Sequence, residues 1–199
     1  MKNIILGAFV LIILIVLYYF FFEDNTLSSI VRIKPANELT TVPGKTIGNN
    51  QDFTYSFWVH ISNFNYNYGK NKYILFRKTA ENDNSLEQHV LSAYLNPYQS
   101  DLTLSLRVTG DSDAEYKYSK CTLENIPIQR WTHVLISHRS RGLDMYMDGK
   151  LVKTCVLDGN FAPSSQLTNL MVCPSEEMIM GNASGQPGYN GFLATLKYY

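Results

Sequence analysis

The segment Trp131–Cys155 constrains the fold most, because turn signals separate three short runs with the composition of β-strands. In the first two runs, Thr132–Arg139 and Leu143–Met147, apolar residues occupy alternate positions, as they do on one face of a strand. The third run is Leu151–Leu157, and Asp148-Gly149 precedes it. Asp-Gly between alternating runs favours a type I′ turn, in which both central residues have positive φ. The segment therefore predicts a three-stranded antiparallel meander.

A second alternating run lies at Phe53–Ile61, with the sequence FTYSFWVHI. Phe57 and Val59 belong to the face that we expect in the core of a β-sandwich, together with Val134, Ile136, Met145 and Met147 of the meander. Trp58 lies on the opposite face, where it either lines a ligand groove or is covered by a loop. The covered position is favoured, because exposing a Trp costs hydrophobic free energy.

Short strands separated by polar turns fill the rest of the chain, which indicates a β-sandwich. Aromatic residues make up 13% of the sequence and suit the pleated surface of a sheet. The sequence predicts further strands at Tyr73–Arg77, His89–Leu95, Leu102–Val108, Tyr116–Leu123, Leu170–Val172 and Gly191–Tyr198. No helical period appears after the N-terminal segment.

The N-terminal segment Ile4–Phe22 is a charge-free run of 19 residues. As a helix it would extend about 28 Å, close to the thickness of the bilayer hydrocarbon. Its bulky end and the lack of an A-x-A-like site argue against a cleaved signal peptide. The sequence therefore predicts a transmembrane anchor at 1–22, a tether at 23–51 with a possible first strand at 30–33, and a β-sandwich domain at 52–199.

The loop Asn63–Lys72 interleaves Phe64, Tyr66 and Tyr68 with Asn side chains. Three interpretations remain open for these rings. They pack within the loop, they contact a partner protein, since Tyr is favoured at interfaces, or they stack on sugar rings beside amide hydrogen-bonding groups. Together with Trp58, these three residues are the candidate ligand- or partner-binding residues.

The sequence gives no support for an enzyme, a metal site or a cofactor. Paired carboxylates of jelly-roll glycosidases lie two or three positions apart on a strand, whereas the acidic residues of Glu81–Glu87 are spaced too widely in an Asn-rich run. The His residues lack zinc-ligand spacing, and the acidic run Asp111–Glu115 fits a solvated turn better than a Ca²⁺ site. Equal numbers of basic and acidic residues, 17 of each, argue against nucleic-acid binding.

Three cysteines are too few for a disulfide scaffold. Cys121 and Cys155 lie on predicted strands on either side of Trp131, and they would form a disulfide if their Cα atoms came within about 6 Å. The alternative is three buried thiols. Cys173 is the residue expected to stay unpaired.

Several motifs follow one another in an order that resembles a known family: FTYSFWVHI, NFNYNYGKNKYILFRK, the stretch from Cys121 to Leu157 with its Leu-x-x-Tyr-x-Asp-Gly motif, and NGFLATLKYY. This order is similar to that of the laminin-G-type, concanavalin A-like jelly-roll domains in proteins of large icosahedral DNA viruses. Many cellular relatives end with an Asp-Glu pair after the last Gly, where this chain has Leu193-Ala194-Thr195. No Ca²⁺ ligands are carried over from the resemblance, because none can be matched residue by residue.

The resemblance implies an all-β, concanavalin A-like antiparallel sandwich behind one transmembrane helix. It also implies a non-catalytic, single-pass membrane protein with a structural role. Such a protein would be a minor virion component that links an internal membrane to capsid proteins. The alternative is a membrane-anchored, carbohydrate-binding adhesin whose partner is a glycan.

Overall fold

The structure is a computed structural model that describes residues 11–12, 28–30, 33–82, 84–110, 115–182, 185 and 187–199, with the backbone alone for 28–30. In chain order the strands are β1 (Ser28–Ile30), β2 (Lys34–Pro35), β3 (Thr40–Val42), β4 (Phe53–Asn63), β5 (Lys72–Lys78), β6 (His89–Leu95), β7 (Leu102–Thr109), β8 (Tyr116–Leu123), β9 (Trp131–Arg139), β10 (Gly142–Met147), β11 (Lys150–Val156), β12 (Leu170–Val172) and β13 (Asn190–Tyr198). Two short helices, α1 (Gly44–Ile47) and α2 (Glu176–Ile179), interrupt this series.

The strands form two antiparallel sheets that pack face to face. Sheet A has the order β1-β13-β4-β9-β10-β11, and β2 also pairs with β13. Sheet B has the order β3-β12-β5-β6-β7-β8. This arrangement confirms the predicted all-β antiparallel sandwich.

The core lies between the sheets and follows the alternation of the strands. Phe57, Val59, Val134, Ile136 and Met145 are buried as predicted. Met147, the sixth predicted core residue, is partly buried and packs against the margin of the core. Every second side chain of β4 and β9 therefore points inward, and the residues between them form the outer face of sheet A.

The predicted meander is confirmed as β9-β10-β11. Asp148 and Gly149 have φ values of 50° and 78°, the positive values that a type I′ turn requires. Ser140, in the turn between β9 and β10, also has a positive φ of 57°.

Residues 23–51 were predicted to be a tether. In the structure, residues 34–51 form part of the sandwich. β2 adds to sheet A and β3 adds to sheet B, while Ala36, Val42 and Ile47 are buried in the core. These strands have two and three residues, too few for a periodic pattern to identify them. Ser28–Ile30 is a strand, and residues 31 and 32 of the possible first strand at 30–33 lie outside the described residues.

The predicted transmembrane helix at 4–22 lies outside the described residues except for Leu11 and Ile12, which are helical. Within the ranges that the structure describes, no helix combines the length and apolar character needed to cross a bilayer.

A disulfide joins the two sheets at one side of the sandwich. Cys121 lies on β8, the last strand of sheet B, and Cys155 lies on β11, the last strand of sheet A. Their Cα atoms are 6.0 Å apart, and Cys173 is a buried free thiol. The bond therefore connects two edge strands that share no backbone ladder.

We expect this disulfide to stabilise the fold, because it closes a loop between residues 34 positions apart and restricts the unfolded chain. Loop-closure entropy gives a contribution of about 4 kcal/mol to the free energy of unfolding. Urea unfolding of the full-length protein in detergent, before and after reduction, measures it. Cys173→Ala should show the same difference, and equal stability of the oxidised and reduced forms would contradict the expectation.

Candidate functional site

A groove on the outer face of sheet B is the candidate site. It crosses four neighbouring strands, from β5 to β8, and has a volume of about 330 Å³. One cross-strand row places Phe76, Ser92, Ser105 and Lys120 side by side. The adjacent row begins with Tyr73 and Tyr94. Small-molecule sites begin at about this size and combine apolar walls with a few fixed polar groups.

A buried histidine fixes the polar floor of the groove. The His89 ring stacks on Tyr118 with centroids 4.4 Å apart. Its Nδ1 donates to the Leu86 carbonyl at 3.0 Å, because that oxygen can only accept. Its Nε2 therefore accepts the hydroxyl proton of Ser105, also at 3.0 Å. The Ser105 hydroxyl, which is 1% exposed at the floor of the groove, is thus held in one orientation by His89.

Burial is the main reason why the pKa of His89 falls to about 4, and the nearby cations Lys120 and Arg107 act in the same direction. The hydrogen bond to Leu86 opposes this shift. His89 is therefore neutral near pH 7, which keeps the tautomer that orients Ser105.

Aromatic rings form one wall. Tyr73 lies 5.5 Å from Tyr94 and 5.6 Å from Phe76, measured between ring centroids. Ile179 of α2 completes this small apolar cluster. Burial raises the pKa of Tyr73 to about 12 and also raises that of Tyr94, so both hydroxyls stay protonated. The wall offers apolar ring surface that ends in neutral hydrogen-bonding groups.

Charged residues lie at the rim. Lys120 and Glu87 are exposed at the mouth of the groove, and Glu87 is the sole carboxylate among the described residues that line it. The Glu81 carboxylate instead accepts the Asn169 backbone N–H at 2.6 Å. Glycosidases need two carboxylates that flank the bond. The described lining offers ring surfaces for stacking and hydroxyl groups for hydrogen bonds.

No group of three or more His, Cys, Asp or Glu side chains converges on a potential metal position in the described part of the chain. Four residues of the acidic run considered for Ca²⁺, 111–114, lie outside the described residues.

Trp58, a predicted binding residue, lies on the outer face of sheet A and is 41% exposed. Its ring packs on His133 with centroids 5.1 Å apart. The expectation that a loop covers Trp58 is therefore wrong, because an exposure of 41% leaves much of the side chain open to solvent.

The three rings of the loop 63–72 occupy different environments. Phe64 packs against the core under the buried Lys72, whose Nζ lies 4.2 Å from the ring centroid. Tyr66 is half-buried, and this raises its pKa. Tyr68 is exposed and makes an edge-to-face contact with Tyr98 at 5.4 Å. The predicted cluster is therefore divided.

Sequence reasoning missed the groove, although Asn71 at the end of that loop lines it. The residues that were missed are Tyr73, His89, Tyr94, Ser105 and Tyr118. Alternate polar and aromatic positions in β6, β7 and β8 carry the signal. This pattern identifies a groove only together with the order of the strands in sheet B, which a single sequence does not specify.

The fold and the groove together define a two-sheet jelly-roll domain with a candidate binding site on one outer face. Residues 36–199 match the laminin-G family Laminin_G_3, described as the concanavalin A-like lectin/glucanases superfamily, and the chain belongs to this family. No curated protein sequence matches the chain significantly.

Solved structures share the fold at low identity. One is the CBM40 module of a Ruminococcus gnavus IT-sialidase bound to α2,3-sialyllactose, with a TM-score of 0.61, 11% identity, and coverage of 88% of this chain and 92% of that one. Another is the ligand-binding domain of botulinum neurotoxin serotype D with N-acetylneuraminic acid, with a TM-score of 0.57, 12% identity, and coverage of 88% and 41%. The chain thus spans about two-fifths of the toxin domains that it matches. Identities this low show the fold alone.

The buried His89 predicts a pH-dependent stability. Its pKa of about 4 lies below the value of 6.5 for an unperturbed His, so the unfolded chain binds more protons between these values. The free energy of unfolding should therefore fall by about 3 kcal/mol as the pH drops from 6.5 to 4. Urea unfolding at several pH values measures this change.

His89→Gln should reduce this slope. It should not abolish it, because burial also lowers the pKa of His138 and this acts in the same direction. An unchanged slope in His89→Gln would show that His89 is not neutral and buried in the folded state.

Proposed function

We propose that the chain is a non-catalytic carbohydrate-binding module that uses the groove on sheet B and is held at a membrane by residues 4–22. The observation that carries the proposal is the groove's pairing of an aromatic wall with a fixed hydroxyl. Tyr73 and Tyr94 form the wall, and His89 orients Ser105 beside it.

A sugar ring fits this combination because it has C–H surface on its faces and hydroxyl groups around its edge. The C–H surface would pack on Tyr94, while sugar hydroxyls would donate to Ser105 and exchange hydrogen bonds with Ser92. The Tyr73–Tyr94 wall and Ser105 are already held by their neighbours, so little side-chain entropy is lost on binding.

Lys120 at the rim favours a glycan that carries a carboxylate. Glu87 lies at the same rim and opposes dense negative charge, so one acidic sugar is favoured over a polyanion. The sialylated ligands of the CBM40 module and of the toxin domain, which share the fold, support this class of ligand.

The absence of catalysis is part of the proposal. The position of Glu81, tied to Asn169, and the single carboxylate at the described groove support it. Sustained release of reducing sugar by the purified protein would contradict it.

Binding to a glycan array followed by calorimetry tests the proposal. Tyr94→Ala should weaken the best ligand at least about tenfold, since loss of a stacking surface costs more than about 1.4 kcal/mol. Ser105→Ala should weaken it by a similar factor through the lost acceptor. Lys120→Ala should weaken acidic ligands and leave neutral ones unchanged.

Tyr98→Ala is the matched control, because Tyr98 is an exposed tyrosine outside the groove and should bind like the wild type. Circular dichroism establishes that each variant is folded. The proposal fails if the array shows no saturable ligand, or if folded Tyr94→Ala and Ser105→Ala bind as the wild type does.

A structural role is the second candidate, and the exposed Tyr68–Tyr98 pair favours it. Tyr rings lose little rotamer entropy on docking and are enriched at protein contacts. In this role the domain would link an internal membrane to capsid proteins, as a minor virion component. Confinement at the membrane would raise its effective concentration near a shell, so weak contacts would suffice.

Replacement of both tyrosines, Tyr68→Ser with Tyr98→Ser, should leave the fold and glycan binding intact, because both rings are exposed. It should reduce retention of the full-length protein in purified particles if these rings contact a shell protein. Quantitative immunoblotting of particles measures retention, with Tyr116→Ser as the control for another exposed tyrosine. Undiminished incorporation of the folded double variant would exclude this contact.

A further inference from the structure

The outer face of sheet A carries an aromatic patch, defined here as Trp58, His60, Trp131, His133 and Phe192. Trp58 is 41% exposed, Trp131 is 38% exposed and Phe192 is 41% exposed. The register places Phe192, His60 and Trp131 in one cross-strand row and pairs Trp58 with His133 in the next. Large exposed rings cost hydrophobic free energy, and a group of them marks an interaction surface.

The rings support one another on the sheet. His60 lies between Trp131 at 5.3 Å and Phe192 at 6.2 Å, measured between ring centroids. A ring nitrogen of His60 lies 3.2 Å from the Ser62 hydroxyl, and one of His133 lies 2.8 Å from the Ser56 hydroxyl. The patch therefore combines apolar faces with polar edges on a rigid scaffold.

The charges of this face are compatible with a lipid surface. The third row adds Lys197, Ser56, Leu135, Tyr146 and Leu151. Three described carboxylates lie beside these rows: Asp148 continues the second row next to His133, Asp144 lies in the row beyond Tyr146, and Glu38 lines a depression next to Phe192. The neighbouring Asp148 is occupied by Arg130 and by the His133 backbone N–H. None of the five patch residues is acidic, and Lys197 adds a positive charge in the third row, so the face suits zwitterionic headgroups better than strongly anionic ones.

The position of the tether limits how far this face can be from a membrane. Five residues, 23–27, separate the apolar run from β1, and they reach at most about 20 Å when fully extended. β1 pairs with β13 in sheet A, so Ser28, where the described strand begins, lies in the plane of that sheet. Ser28 pairs with Tyr198, which is about 20 Å along β13 from Phe192. The whole face is therefore within reach of the bilayer when sheet A lies flat.

We propose that the aromatic patch of sheet A rests in the headgroup region of the bilayer that residues 4–22 enter. This inference rests on the proposed membrane attachment. Trp and Tyr concentrate at this depth because the ring is apolar and its edge is polar. A domain in this orientation presents the groove of sheet B, on the opposite face of the sandwich, away from the lipid.

The two Trp residues of the chain both lie in the patch, so tryptophan emission reports on it alone. Full-length protein is reconstituted into phosphatidylcholine vesicles with acyl chains brominated near the headgroups. We expect a blue-shifted emission that brominated lipid quenches strongly relative to unbrominated lipid. Trp58→Phe and Trp131→Phe should each retain one tryptophan whose emission brominated lipid quenches. Bromine in both leaflets makes the result independent of the direction of insertion.

A matched control places the tryptophan reporter outside the aromatic patch. Tyr98→Trp in a Trp58→Phe, Trp131→Phe background places an exposed indole beyond the patch, between β6 and β7, and brominated lipid should not quench it. Flotation in alkaline carbonate is measured first. Protein that does not float overturns both the membrane attachment and this inference.

Protein that floats but emits without quenching by bromine, and is quenched by aqueous acrylamide, overturns this inference alone. A blue shift that depends on protein density and not on bromine identifies a second copy on the patch, and it also overturns the inference. Protection that appears only when a glycan is added would place the sugar on sheet A, contrary to both proposals.

Discussion

The contact between the inward faces of the two sheets is the interaction on which the rest of the structure depends. Phe57, Val134, Ile136 and Met145 of sheet A are fully buried against the inward side chains of sheet B. Because strand side chains alternate, fixing this face inward also fixes which residues face outward. A shift of one residue in β4 would bury Trp58 and expose Phe57. The core therefore determines both outer surfaces.

The two outer surfaces differ in chemistry, so each is suited to a different binding partner. Sheet B carries a groove in which neutral His89 orients Ser105 beside an aromatic wall. Sheet A carries exposed rings, and it also contains β1, the strand that follows the N-terminal tether. In the proposed arrangement, one face of the sandwich lies on lipid and the other is open to a glycan. The rigid core would hold the two sites apart.

The disulfide connects two strands that have no backbone hydrogen-bond ladder between them. β8 and β11 are edge strands of different sheets and share no ladder, so side-chain packing and the Cys121–Cys155 bond connect them. β8 also supplies Tyr118 and Lys120 to the groove. The covalent connection therefore supports one wall of the candidate site as well as the fold.

The sequence by itself determined the fold class, because period-two alternation and the Asp148-Gly149 turn are local signals that predict strands and a meander. It also determined which face of β4 is buried. The groove was decided only by the tertiary structure, since Tyr94, Ser105 and Tyr118 come from three strands and meet only when their order and register are set. The exposure of Trp58 was decided there too, because no local pattern states whether another segment will cover a face. Local periodicity specifies the direction of a side chain, whereas its neighbours depend on long-range pairing.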